Sequence, residues 1–155
     1  SSIGVCIPKI CHPSGDVQVI NRRIPRPQDY LISFLNSKFK TQMFKTRRYR
    51  EYLLENFNTE TPFICPVISG CFMFFRGNAL ADVGGFDERY FLYLEDTDLS
   101  RRVSEIHKVV VFSDLTAFHH WSRGAYKSVK LFSMFVRNMI RYFDKWGWFL
   151  DSKRD

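Results

Sequence analysis

Apolar positions along the chain fall into short strand-like runs and five helical stretches. Ile3 to Pro8 alternates weakly and predicts a buried strand. The turn His12-Pro13-Ser14-Gly15-Asp16 follows, and Val17 to Ile20 reads as a second short strand, so a hairpin is expected. Ile24-Pro25-Arg26-Pro27 is extended, because a residue before proline avoids the helical region. From Gln28 to Phe39 the apolar residues Tyr30, Leu31, Phe34, Leu35 and Phe39 recur at helical spacing, and Arg47 to Phe57 reads as a second helix. Phe63 to Val67 is extended, and Cys71 to Phe75 is the strongest strand candidate. Arg76 to Val83 is helix-like and runs into Gly84-Gly85. Asp96 is placed to cap a helix from Thr97 to about Ile106, and Lys108 to Phe112 is a β-branched strand. The longest pattern closes the chain. Between Ala125 and Trp146, Val129, Phe132, Phe135, Val136, Met139, Ile140 and Phe143 form one stripe, and Lys127, Lys130, Arg137, Arg141 and Lys145 form the other.

This order of elements predicts an α/β fold with a small mixed sheet, flanking helices and a long C-terminal amphipathic helix. We divide it into a main portion, 1–124, and a helical extension, 125–155. A small sheet of this kind is expected to show an unprotected edge, and such an edge invites self-association into a homo-oligomer.

Length and charge sharpen the picture. A chain of 155 residues is long enough to bury a core. Its net charge of +7 is unevenly spread. Residues 36–50, NSKFKTQMFKTRRYR, hold six Lys and Arg and no acid; residues 121–155 hold eight basic and three acidic residues. Between these zones, Asp87, Glu88, Glu95, Asp96 and Asp98 crowd into twelve positions. Basic surfaces point to an anionic partner: nucleic acid, anionic lipid or a phosphorylated substrate. No recognisable nucleic-acid-binding motif accompanies them, and a nucleic-acid module would leave the acidic cluster unexplained. No apolar run approaches the roughly 20 residues that span a bilayer, and the first residues do not form a signal peptide. The cysteines Cys6, Cys11, Cys65 and Cys71 form no CxxC pair and read as free thiols of a cytoplasmic protein. The C-terminal stripe has two readings: it packs on the fold, or it lies on the inner face of the cell membrane with Trp146 and Trp148 inward.

Three segments can carry chemistry. Glu95-Asp96-Thr97-Asp98 opens a helix, where the dipole favours carboxylates. A carboxylate fixed there can take a proton from a hydroxyl, or it can simply belong to the first turn. Gly84-Gly85-Phe86-Asp87-Glu88 allows a tight turn and a close substrate approach at Gly85, with Asp87 open to ligand hydroxyls; it also reads as a plain helix end. His119-His120-Trp121 offers imidazoles and a ring that can stack on a flat ligand face, and Arg123 can pair with phosphate oxygens. Each of these also reads as packing or solvated surface, as does Gly70 beside the candidate strand.

The run SGCFMFFRGNALADVGGFDERYFLYLEDTDLSRR, from Ser69 to Arg102, resembles the acceptor-side half of family 2 glycosyltransferases of the GT-A fold, the rhamnosyltransferase-like members above all. IGVCIPKICHPSGDVQ and AFHHWSRG resemble neighbouring family segments. The resemblance implies an inverting transfer from a nucleotide-sugar donor to a saccharide or lipid-linked acceptor, in the making of bacterial surface polysaccharide. It implies Asp96 as the base, with Glu95 and Asp98 as supporting groups that orient the loop or acceptor. It implies a divalent metal, Mg or Mn, completed by His119 or His120, with AFHHW aligning best on His119. The family's nucleotide-binding unit and Asp-x-Asp motif have no counterpart here, so the chain is expected to be the C-terminal part of a longer enzyme and inactive by itself, with no metal bound to it alone. The Gln-x-x-Arg-Trp motif of processive members is also missing, which implies transfer of a single sugar. The segment VSEIHKVVVF departs from the family by lacking its Gly-Trp-Lys turn, and residues 36–50 have no family counterpart. The competing reading is a non-catalytic module that binds nucleic acid or docks on a membrane.

Overall fold

The computed structural model of the chain describes residues 2–55, 61–120 and 128–154. Two strands form its centre: β1, Ile3–Cys11, and β4, Lys108–Phe118, which run parallel. Two-residue strands flank them on either side, β2 (Phe63–Ile64) against β4 and β3 (Phe74–Phe75) against β1, both antiparallel. The sheet is therefore small and mixed, in the order β2-β4-β1-β3. Its outer strands are too short to offer a long pairing edge.

Val5, Ile7, Val109 and Val111 from the central strands are essentially sealed from solvent. They pack with Leu99 and Val103 of α4, Glu95–Ser104, in the main core. β-branched residues fit such a two-sided central pair because their stiff side chains pack well on a pleated surface. At Pro8 the β1–β4 register jumps: Pro8 lies opposite Phe112, but Lys9 lies opposite Thr116. Proline has no N–H to give to the ladder, and the extra residues of β4 bulge there.

Five helices accompany the sheet among the described residues. α1, Pro27–Lys38, begins with proline in its first turn, and Asp29 reaches back to accept the Arg26 N–H at 2.7 Å. α2 spans Arg47–Tyr52, opened by the Thr46 hydroxyl accepting the Tyr49 N–H at 3.2 Å. It stops well short of the expected Phe57, because Leu54 has a left-handed backbone, φ 54°. α3 is Gly77–Asp82, and it ends in the expected Gly84-Gly85 turn, where both φ values lie near +70°.

The strand expected over Cys71–Phe75 shrinks to Phe74–Phe75. On that edge of β1, β3 pairs at Val5 and Cys6, while Val17 bridges to Cys11 and the Gln18 N–H donates to the Ile10 carbonyl; the stretch between them centres on Pro8, which has no N–H to give. The expected hairpin survives only as that bridge.

α5, Val129–Trp146, carries the C-terminal stripe. Its Phe135, Tyr142 and Phe143 are buried with Tyr30 of α1 and with Tyr90 and Leu94 of the loop before α4. Edge-on ring contacts run through this cluster, Tyr30 to Phe135 at 5.4 Å and Tyr142 to Phe143 at 5.4 Å. The Phe-rich stripe is thus a packing face, and Trp146 packs against the same cluster. Val129, Phe149 and Leu150 remain exposed. Among the described residues no helix is long and apolar enough to cross a membrane. All four cysteines are free; Cys65 is sealed, and burial pushes its thiol up to about 12.

Candidate functional site

The segment leading into α4 is bent against its residues' preferences. Tyr93 and Leu94 are consecutive left-handed residues, φ 71° and 64°, and neither is glycine. Each such residue costs on the order of 1 kcal/mol, so the neighbours must impose the shape. Asn138 of α5 does so. It is buried, and its Nδ2 donates to the carbonyls of Leu92 at 2.7 Å and Tyr93 at 3.3 Å. Leu94 is pinned in the aromatic cluster and forms the N-cap of α4. The cap is therefore not Asp96, as the sequence suggested: the helix begins two residues earlier, and Asp96 sits in its first turn.

The first turn opens on a cleft of about 770 Å³. Glu95, Asp96 and Thr97 form one side of it; Tyr30, Ser33, Asn36 and Ser37 of α1 and Tyr49 and Tyr52 of α2 form another; Gln18, Arg22 and His119 contribute from the sheet side. The basic connector supplies Lys40, Thr41, Gln42 and Lys45. This answers what residues 36–50 do in the fold: part of the segment walls the cleft.

Asp96 is oriented by amides. Its Oδ2 accepts the Gly70 N–H at 2.8 Å, and its Oδ1 accepts the Thr97 N–H at 2.7 Å. A Cβ on residue 70 would stand 3.3 Å from the Asp96 Cβ, so Gly70 is the residue type that lets the two segments meet this closely. Glu95 behaves differently. Its Oε2 is buried with no hydrogen-bond partner among the described residues, and burial, then the neighbouring Asp96 charge, push its carboxyl up to about 7.

The structure divides the remaining sequence candidates. Asp98 is fully buried and turned away from the cleft. Arg102 Nε, Lys145 Nζ and Trp146 Nε1 each approach its carboxylate at 2.8 Å. Asp87 joins the same cation cluster, bound by Arg89 at 2.7 Å and Lys145 at 3.2 Å. The Arg89 guanidinium holds its carboxyl well below the usual range despite partial burial. Neither Asp87 nor Gly85 lines the cleft. His119 does, with Nδ1 3.4 Å from Gln18 Oε1, whereas His120 is exposed and outside it. Trp121 and Arg123 lie outside the described residues. Among the described residues no three His, Cys, Asp or Glu side chains converge as a metal would require, so these residues do not assemble a divalent site by themselves.

Sequence reasoning missed Asn138, the tyrosines of the cleft and Arg22. Only the position of Asn138, an amide residue beside the apolar stripe of α5, could have raised a flag.

Comparison with known proteins bears on the ancestry of this arrangement. The chain is 29% identical over 125 residues to rhamnosyltransferase WbbL of Escherichia coli, covering 78% of this chain and 42% of the relative. It is 32% identical over 120 residues to N-acetylglucosaminyl-diphospho-decaprenol L-rhamnosyltransferase of Mycobacterium tuberculosis, covering 76% of this chain and 37% of the relative. No family model and no solved structure matches the chain. A glycosyltransferase ancestry accounts for both the sequence run and the matches. The chain is similar to these rhamnosyltransferases over about three quarters of its own length, and it spans about two fifths of the length of the curated relatives it matches.

Proposed function

We propose that this chain is the acceptor-side portion of an inverting, non-processive family 2 glycosyltransferase with a GT-A-like fold, and that the cleft before α4 receives the acceptor. The observation that carries the reading is Asp96: a carboxylate at a helix N-terminus, aimed by two backbone amides, on the wall of a cleft of about 770 Å³. The rhamnosyltransferase relatives support a deoxyhexose as the transferred sugar and a lipid-linked saccharide as the acceptor.

In this reading the acceptor hydroxyl approaches Asp96, and its proton passes to the carboxylate as its oxygen attacks the anomeric carbon. The new C–O bond forms on the face opposite the donor's nucleoside diphosphate. That group departs with the electron pair of the broken bond. The amides of Gly70 and Thr97 leave lone pairs of Asp96 free to take the proton, and they fix its direction. Glu95, raised to about 7, is poised to share a hydrogen bond with a sugar hydroxyl at neutral pH. His119 borders the same cleft and is the residue here that a divalent ion of the whole enzyme would meet. No step is assigned to such an ion, since the described residues do not form its site.

The test is sugar transfer to a lipid-linked acceptor by a polypeptide that carries this stretch at the relatives' length. Asp96→Asn should lower transfer by at least about 10²-fold while leaving the thermal transition in place. Full transfer by Asp96→Asn would remove Asp96 from the chemistry.

A further inference from the structure

Among the described residues Arg22 is a cation without an anion. It is half-buried on the cleft wall, and among the described residues no carboxylate pairs with it. Its guanidinium rests over the Tyr52 ring, 5.7 Å from the centroid, and one terminal nitrogen reaches the Tyr52 hydroxyl only at 3.5 Å. Its Nε is buried with no partner among the described residues. Leaving a desolvated cation unpaired is costly, and a guanidinium is the group best suited to grip phosphate oxygens in pairs.

The position is rigidly built. The Arg22 backbone N–H donates to the Val67 carbonyl at 2.9 Å, the Val67 N–H returns to the Arg22 carbonyl at 3.2 Å, and the Cys65 thiol donates to that same carbonyl at 3.4 Å. Two further donors share the wall. Asn36 Nδ2 is buried and has no partner among the described residues. Lys40 is exposed just beyond α1, where its backbone turns left-handed, φ 48°. Lys45 is already matched, to Glu55 at 2.5 Å. The spare charge on this wall is therefore positive. The spare charge at the mouth of α4 is negative.

The two sets are close. Val67, to which Arg22 is bonded, precedes Gly70, to which Asp96 is bonded, by three residues. Those backbone anchor points are at most about 11 Å apart. One ligand with a sugar and a phosphate next to each other can reach both.

We propose that Arg22, with Asn36 and Lys40, is a binding site for a diphosphate group of a substrate that enters the cleft. The site deepens the glycosyltransferase reading and rests on it for the identity of the substrate. The diphosphate has two sources, the lipid-linked acceptor or the nucleotide-sugar donor.

Isothermal titration of the 155-residue chain with geranyl diphosphate, UDP and inorganic pyrophosphate tests it. The expected result is saturable binding of at least one diphosphate, weakened at least about tenfold by Arg22→Met and about threefold by Lys40→Gln, with Arg22→Lys between wild type and Arg22→Met. Loss confined to geranyl diphosphate assigns the site to the acceptor; loss confined to UDP assigns it to the donor. Lys40→Gln touches only an exposed side chain, so it reads the site even if Arg22→Met fails to fold. No binding by wild type, or equal affinity in wild type, Arg22→Met and Lys40→Gln, overturns the proposal. The two readings fail separately. Diphosphate binding that depends on Arg22, with no sugar transfer by the relatives-length polypeptide, sinks the enzyme and keeps the site. Transfer unchanged by Arg22→Lys and Lys40→Gln, with unaltered diphosphate affinity, keeps the enzyme and sinks the site.

Discussion

Asp96 and Asp98 stand two residues apart on one helix and live in opposite surroundings. Asp96 faces the cleft and is held by neutral amides, with Glu95 beside it raised to about 7. Asp98 faces inward and is gripped by Arg102, Lys145 and Trp146. A helix turns about 100° per residue, so two positions apart means nearly opposite faces. The contrast teaches that an acidic run need not be one site. Here one face is free to work on a ligand, and the other ties α4 to α5.

That contrast can be broken first by paired substitutions. Asp96→Asn should lower transfer by about 10²–10⁴-fold, the usual worth of a general base, and shift urea stability little. Asp98→Ala should do the reverse at first order, costing about 3 kcal/mol in urea unfolding because Lys145 and Arg102 lose a buried partner. Loss of stability in Asp96→Asn as large as in Asp98→Ala would erase the division between the two faces.

A smaller effect should come from Asn138→Ala, which frees the bent 92–94 carbonyls. We expect about 2 kcal/mol of destabilisation from the lost buried hydrogen bonds, partly offset as the left-handed residues relax. Transfer should fall more than stability explains, measured at a temperature where the variant is fully folded.

The smallest expected effect sharpens the comparison through pH. Glu95 has a folded value of about 7 against an ordinary 4.5, so between those values the folded chain keeps a proton that the unfolded chain has released. Stability should therefore fall as pH rises across that window. Allowing for solvent screening, the change is on the order of 1 kcal/mol. Glu95→Gln should flatten this part of the profile, read as the difference in melting temperature between wild type and variant from about pH 4.5 to about pH 8. An identical profile in both would remove burial as the cause.

Much of the fold was legible because period-two and helical patterns report burial directly. α1, the start of α2, the central strands and the packing face of α5 all followed from spacing. What escaped depended on distant partners. Cys71 to Met73 looks like strand, but β3 pairs with β1 only at Phe74 and Phe75, and the next part of that edge centres on Pro8, which has no N–H to give. Arg102, four residues on, is the partner of Asp98 that helical spacing reveals. Trp146 lies 48 residues away and leaves no local trace. The site was half legible for the same reason. The carboxylates sit in one run, whereas the wall made by Arg22, Asn36 and Lys40 is assembled by segments around the α1–α2 connector, which has no periodicity to read.

The clamp on the bent segment has a consequence in time. Asn138 is 46 residues downstream of the Leu92 carbonyl it holds. The strands and α4 of the main core can gather before α5 has been synthesised, but nothing until then keeps Tyr93 and Leu94 in their costly shape. The mouth of the cleft is thus finished only once α5 has docked, so a nascent chain gathers its main core before it gains its site.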